Sequence, residues 1–272
     1  MSAPTATGEA ALHRDAAEHL LGAYAAGKAV APVVEAFPQA TITDAYRIQQ
    51  VQVARWVADG DRVRGHKVGL ASAAMQRQAG VNQPDYGHLT QSMFFLEHEP
   101  IPPGTFLQPR IEPEIAFVLA RPLRGPGVTV ADAVSAIDFV LPALEIVDSR
   151  VADWRIGIVD TIADNASSGG VVLGATPVSP RSVDLRLTGC VLHHNGVVAA
   201  TGAGGAVLGS PINSLVWLAN TVGPLGIELE ADHVVLPGSM TRAQTISAGD
   251  TVATTIAGVG SVTAVMGREE SQ

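Results

Sequence analysis

The stretch Arg110-Ile111-Glu112-Pro113-Glu114-Ile115-Ala116-Phe117 decides how the rest of the chain is read. Its isoleucines and phenylalanine predict a strand running from Arg110 to Leu119. Side chains alternate faces on a strand, so Glu112 and Glu114 point the same way, roughly 7 Å apart. Pro113 between them has no N–H to give a ladder, which predicts an edge, a bulge or a strand start. Two carboxylates on one face, bounded by apolar residues, repel each other and resist desolvation. A divalent cation relieves both costs. All-oxygen ligation points to Mg2+ or Mn2+, with waters or substrate completing the octahedron. The same spacing also fits an ordinary amphipathic strand whose two glutamates face solvent.

A third carboxylate lies downstream. Glu145 stands in Leu141-Pro142-Ala143-Leu144-Glu145-Ile146-Val147, a nearly pure apolar run within a second predicted strand, Phe139 to Val147. A charge there is rarely left unpaired. It can join the metal, or form a buried ion pair with Arg150. A short helix near Thr129 to Ile137 separates the two strands.

Towards the N-terminus the texture is helical. Leu12, Ala16, Leu20 and Tyr24 recur at helical spacing and Gly27 can end that helix. A second helix is predicted from about Thr43 to Asp59, with Thr43 as its cap and Tyr46, Val53, Trp56 and Val57 lining one face. From about Val63 short Val/Ile-rich runs alternate with Gly/Pro turns. Asn195-Gly196 within Val191 to Val198 signals a type I′ hairpin. Ser210-Pro211 opens a helix that ends near Gly223. His233 to Leu236, Thr251 to Ile256 and Ser261 to Met266 read as strands. The expected organisation is therefore a helical region, 1–62, before a β-rich body, 63–272.

Other segments carry candidate chemistry. Gly65-His66-Lys67-Val68-Gly69-Leu70 places one lysine in a glycine-flanked strand, where it can hold a carboxylate, stabilise an enolate, or simply snorkel to water. Pro84-Asp85-Tyr86-Gly87 reads first as a turn, with Asp85 a possible general base on a loop. Asp164-Asn165-Ala166-Ser167-Ser168-Gly169-Gly170 is a polar cluster suited to orienting a substrate carboxylate, or a plain loop. Gly238-Ser239-Met240-Thr241-Arg242 follows a strand, so that Arg242 either meets an anion or lies in an exposed turn. Cys190, His193 and His194 share one hairpin strand with alternating faces and do not form a nucleophile pair.

Composition narrows the class. The chain has 272 residues, 47% hydrophobic and 16% charged, which excludes disorder. A net charge of −9 disfavours a nucleic-acid reader. The single cysteine excludes a disulfide framework and a multi-cysteine zinc site, and fits a cytoplasmic address. Met1 to Ala11 lacks the basic start of a signal peptide, and no run of 18 apolar residues predicts a membrane span.

Read together, five segments resemble the 2-keto-4-pentenoate hydratase family of the fumarylacetoacetate hydrolase-like superfamily, which includes 2-oxohept-3-enedioate hydratases and related 4-oxalocrotonate decarboxylases. They are Gly65–Leu70, Gln83-Pro84-Asp85-Tyr86-Gly87, Pro109–Ala116, Leu141–Glu145 and Asp160-Thr161-Ile162-Ala163-Asp164-Asn165-Ala166-Ser167, matching in order and spacing over about Ile42 to Met266. The resemblance implies an α+β fold, a helical N-terminal region packed on a mixed β-roll. It implies that Glu112, Glu114 and Glu145 bind Mg2+ or Mn2+, that Lys67 and Asp85 are the catalytic groups, and that Leu70, Ser167 and Arg242 contact substrate. The implied reaction is hydration of a 2-hydroxy-2,4-dienoate by a homo-oligomer, in rings of five or ten. A partner decarboxylase or aldolase is also implied. The metal motif does not separate this from a 2-oxo-3-enedioate decarboxylase. A C–C bond hydrolase ranks lower, because His66 points to the face opposite Lys67, and a catalytically silent scaffold is disfavoured by the retained acidic set.

Overall fold

The computed structural model describes residues 6–78 and 80–268. Residues 1–5, on which part of the leader reading rests, lie outside the described residues. Three helices come first: α1 (Ala6–Ala26), α2 (Val33–Ala36) and α3 (Ile42–Ala58). Gly27 ends α1 at φ +60°, as the sequence predicts. The cap of α3 is Thr41, not Thr43. Thr41 Oγ1 accepts from Asp44 N–H while the Asp44 carboxylate accepts from Thr41 N–H, a reciprocal box that Thr43, inside the first turn, cannot make. The buried face of α3 also differs from the expected one. It is Ala45, Ile48, Gln49 and Gln52, whereas Val57 is exposed. The glutamines go inward because they have work there: Gln49 Nε2 donates to Tyr86 O and Ile162 O, and Gln52 Nε2 to Ala163 O.

The strands are β1 (Val63–Gly69), β2 (Asp85–Thr90), β3 (Phe94–Phe95), β4 (Pro100–Ile101), β5 (Arg110–Leu119), β6 (Ile137–Val147), β7 (Ser168–Leu173), β8 (Gly189–His194), β9 (Val197–Ala203), β10 (Val234–Leu236), β11 (Gln244–Thr245), β12 (Thr251–Ile256) and β13 (Gly260–Met266). Helices α4 (Ala73–Gln78), α5 (Val130–Ala136), α6 (Ile158–Ala163) and α7 (Pro211–Val222) fill the connections. Among the described residues the strands form two sheets. One is mixed, in the order β2-β1-β10-β5-β6-β7-β3 with β11 also on β5; the other runs β4-β13-β12-β8-β9. The second sheet packs on the first through Ile111, Leu144, Ile146 and Val172 against Leu192, Val252 and Val262. The Asn195-Gly196 turn joins β8 to β9 with φ +51° and +79°, the type I′ hairpin expected. This is the α+β, mixed-sheet class read from the sequence. Among the described residues no helix is long and apolar enough to cross a membrane.

Two local expectations are corrected. Pro113 sits in the middle of β5, with no bulge at its position in the continuous pairing to β6. On its other side β5 pairs with β10 at one end and β11 at the other, and Pro113 faces the gap between them, where its carbonyl accepts from Met240 N–H. A missing N–H costs nothing in that gap. The Asp85 segment is a strand, not a turn: Asp85 to Thr90 pairs antiparallel with β1 and every residue is buried.

The helical region rests on the sheet that carries the acidic residues. Leu20, Val33, Ala45 and Ile48 pack with Val151, Ile162 and Ala163. Helix α6 is thereby pressed between α3 and β2, which brings the Asp164–Ser167 segment onto Gly87. A Cβ at 87 would lie 2.7 Å from Ser168 Oγ, so only glycine lets the two come this close.

Candidate active site

Strand pairing alone assembles the acidic cluster. Glu112 on β5 is directly opposite Glu145 on β6, and Glu114 follows two residues on, opposite Ala143. Like charges opposite one another destabilise a sheet. All three carboxylates are nonetheless buried, Glu112 at 7% exposure, Glu145 at 1% and Glu114 at 0%. One oxygen of each lies within 4.8 Å of the others, so one cation can touch all three. Glu114 Oε2 accepts a 2.8 Å bond from Gly238 N–H, but Glu114 Oε1 and Glu145 Oε2 have no hydrogen-bond partner. Burial, followed by repulsion from Glu145, pushes the Glu112 carboxyl up to about 7. Glu114 is pushed well above the carboxylate range by burial first, then by Glu145 and Glu112. Orphaned oxygens, like charges and an all-oxygen donor set fit a hard divalent cation such as Mg2+ or Mn2+.

Lys67 reaches this cluster from β1. Its Nζ lies 3.2 Å from Glu145 Oε1 and donates a 3.0 Å bond to Ala166 O. Burial works to lower its pKa, but Glu145, Asp85, Glu112 and Glu114 outweigh burial and hold it above the usual lysine value. Glu145 therefore pairs with Lys67. The alternative partner, Arg150, is engaged with Asp164 instead.

Asp85 begins β2 opposite Gly69 and is 1% exposed. Thr161 Oγ1 donates to Asp85 Oδ2 at 2.9 Å, while Asp85 Oδ1 has no partner. Burial raises its carboxyl above the ordinary value, with Lys67 and the Thr161 bond opposing. Nothing in the sequence around Thr161 points to this role. A hydroxyl in the short run before the polar cluster, it gains the role only once α6 is laid on β2.

His66 lies on the other face of β1, as alternation predicts. Its ring stands 4.8 Å from that of His88 and 5.8 Å from that of His233. Cys190 is buried on β8, outside this site.

With the geometry in place, comparison with known proteins gives a consistent answer. The family model described as fumarylacetoacetate (FAA) hydrolase, C-terminal, matches residues 55–266. The chain is 46% identical to a 2-keto-4-pentenoate hydratase of Paraburkholderia xenovorans over 91% of this chain and 92% of that protein. The chain belongs to the 2-keto-4-pentenoate hydratase family, within the fumarylacetoacetate hydrolase superfamily. It is also 42% identical to a 2-oxo-hept-4-ene-1,7-dioate hydratase of Escherichia coli, over 83% of this chain and 87% of that one. Among solved structures, a 4-oxalocrotonate decarboxylase from Pseudomonas putida G7, complexed with magnesium and adipate, superposes with a TM-score of 0.91 at 35% identity. That match covers 98% of this chain and 100% of the decarboxylase.

In this member of the family the three remaining candidates lie at different depths. Leu70 directly follows β1, half-buried, at φ +52°, and its carbonyl accepts from Gln76 Nε2. Ser167 is 3% exposed, and its hydroxyl donates to Asp164 Oδ2 at 3.2 Å. Arg242 is exposed, and its guanidinium makes no hydrogen bond among the described residues.

Proposed function

We propose that the protein is a divalent-metal-dependent hydro-lyase that adds water to a 2-hydroxy-2,4-dienoate and yields a 4-hydroxy-2-oxo acid. The observation that carries this reading is the convergence of three buried carboxylates with Lys67 in one site, in a chain 46% identical to a 2-keto-4-pentenoate hydratase. Glu112, Glu114 and Glu145 are the residues to hold Mg2+ or Mn2+, and the bound ion supplies Lewis-acid polarisation of the substrate's oxygens.

The chain's own residues supply the remainder. The Lys67 ammonium, kept charged by its carboxylate neighbours, stabilises negative charge developing on the C2 oxygen as the dienol ionises. Protonation at C5 gives an α,β-unsaturated 2-oxo acid. Water then adds at C4, conjugate to the ketone; Asp85 takes a proton from that water and returns it at C3 as the resulting enolate collapses to the ketone, so the net change is the gain of one water. Burial moves Asp85 towards the range in which a general base works near neutral pH. Thr161 ties down Oδ2 and leaves Oδ1 for the water. Leu70 and Ser167 line the substrate, and Arg242 meets a second carboxylate only if the substrate is long enough to reach the surface.

Purified protein is given freshly generated 2-hydroxypenta-2,4-dienoate with Mg2+ or with EDTA, and dienol absorbance and product mass are followed. Metal-dependent loss of the chromophore with gain of one water supports the hydratase. A second reading, decarboxylation of a 2-oxo-3-enedioate, is favoured by the fold match to the 4-oxalocrotonate decarboxylase. CO2 release from 2-oxohex-3-enedioate without hydration of the pentadienoate would select it. Assembly of several copies, as rings of five or ten, belongs to the same reading. Exposed Leu96, Leu187, Val197 and Val198 provide apolar surface for it, and solution mass tests it.

A further inference from the structure

We infer that Arg150 is a positioning residue for Lys67, acting through a strained turn that neither of them belongs to. This inference rests on the reading of Lys67 as a working group of the site.

The turn is residues 165–167. Asn165, Ala166 and Ser167 have φ of +54°, +51° and +52°, three successive residues in the left-handed region with no glycine among them. Each such residue is disfavoured, and Asn tolerates it far better than Ala. A run of three persists only where the surroundings impose it. What the run accomplishes is visible at its centre: it delivers the Ala166 carbonyl to Lys67 Nζ at 3.0 Å. Lys67 Nζ has Glu145 as its other near partner, so this carbonyl fixes where the ammonium sits between the carboxylates and Asp85.

Arg150 brackets the turn from behind. It is 1% exposed, and its guanidinium donates to Asp164 O just before the turn and, at 3.0 Å, to Ser168 O just after it. It also pairs with Asp164 Oδ1. Asp164 Oδ2 in turn accepts from Ser149 Oγ, Arg150 N–H and the Ser167 hydroxyl. Tyr24 from α1 closes the network, accepting from Arg150 Nη1 at 3.1 Å and donating to Asp148 Oδ2 at 3.0 Å. Asp148 N–H binds Ser167 O at 2.8 Å. On the opposite side, Asn165 pins the turn to β2 by two bonds with the His88 backbone. The planar fork of arginine spans two carbonyls four residues apart, which the single ammonium of lysine cannot do.

Disturbing one partner of a buried ion pair can destabilise the fold whatever else the pair does, so the test must separate positioning from folding. Four proteins are compared with the metal-loaded wild-type chain as reference: R150K, A166G, R150K/A166G and K67M. Glycine adopts positive φ without steric cost, so A166G removes part of the strain that the clamp opposes. We expect R150K to lower kcat about tenfold with little change in KM, and the same substitution in the A166G background to cost only about twofold. A general loss of stability would not shrink in this way. If R150K is folded by circular dichroism and keeps wild-type kcat, or if its loss is the same with and without A166G, the inference is overturned. Should R150K not fold, Y24F removes one Arg150 partner, and its smaller kcat loss must likewise shrink in the A166G background; an undiminished loss overturns the inference. Wild-type protein that does not hydrate, or K67M that does, would instead sink the reading of the site itself.

Discussion

Gly69 on β1 and Asp85 on β2 are register partners packed so closely that a Cβ at 69 would overlap Asp85 Oδ1 and lie 3.3 Å from Lys67 Nζ. The absence of a side chain at 69 is therefore what leaves room for the two proposed catalytic groups to share one space. A Gly69→Ala chain must push Asp85 or Lys67 aside, while the strand itself, buried on a paired sheet, tolerates alanine. Displacements of about 1 Å at a reacting group can cost about 100-fold. G69A is expected to lose kcat on that scale and keep a cooperative thermal transition. Turnover within about twofold of wild type would show that the overlap is relieved elsewhere.

Glu114 carries a separate prediction, because its burial is costly until a cation arrives. In metal-free protein, burial and the neighbouring carboxylates already disfavour the ionised form of Glu114, so Glu114→Gln, a neutral group of the same shape, should leave the melting temperature equal to or above that of metal-free wild type. Ligand binding then reverses the order. Mg2+ at about 100 times its Kd stabilises a binding-competent protein by about 2.7 kcal/mol, and the variant should gain little of this and lose metal-dependent turnover. Calorimetric melts with and without Mg2+ read both effects. A variant stabilised by Mg2+ as strongly as wild type would remove Glu114 from the ligand set.

The acidic cluster was legible in the chain because strand alternation is a local rule. The i, i+2 spacing of Glu112 and Glu114 puts them on one face whatever surrounds them, and Glu145 announces itself by standing in an apolar run. What sequence order hides is pairing between distant segments. Asp85 read as a turn since Pro84 precedes it and Gly87 follows, yet Gly87 is there to let the 164–168 segment approach, an event 77 residues away in sequence for the bond between His88 and Asn165. Proximity in sequence offers Arg150 to Glu145 five residues back, whereas the folded chain turns it to Asp164. The inward glutamines of α3 are hidden for the same reason: amphipathic patterning assigns Gln to the outside, and only the open carbonyls of Tyr86 and Ile162 bring Gln49 in.

Those glutamines make the joint between the helical region and the β body testable. Gln49 Nε2 supplies donors to two buried carbonyls on different elements, β2 and α6. Gln49→Leu fills the same space but leaves both acceptors without a partner in a dry setting, which costs about 2 kcal/mol or more. Urea unfolding should show a lower midpoint in a single transition, because α3, β2 and α6 form one packed unit. A separate early transition of the helical region alone, with the body intact, would mean that residues 6–58 are held more loosely than these contacts require.

The histidines behind β1 predict how stability responds to acid. Burial, reinforced by repulsion between the neighbouring imidazoles, holds His66 well below its usual value, and burial brings His88 down to about 4. In the unfolded chain both titrate near 6.5. Above that pH both states are neutral and these groups make stability independent of pH. As pH falls below about 6.5 the unfolded chain takes up protons that the folded chain refuses, so stability drops, by up to about 1.4 kcal/mol per pH unit for each imidazole, until the folded-state values are reached. His66 tests this cleanly, since neither of its ring nitrogens has a hydrogen-bond partner and leucine in its place orphans nothing. His66→Leu should match or exceed wild type at pH 7.5 and lose less stability between pH 6.5 and 5.5, the slope flattening by about one proton's worth. Urea midpoints across that interval decide it: parallel slopes for the two proteins would mean that His66 is protonated in the folded state after all.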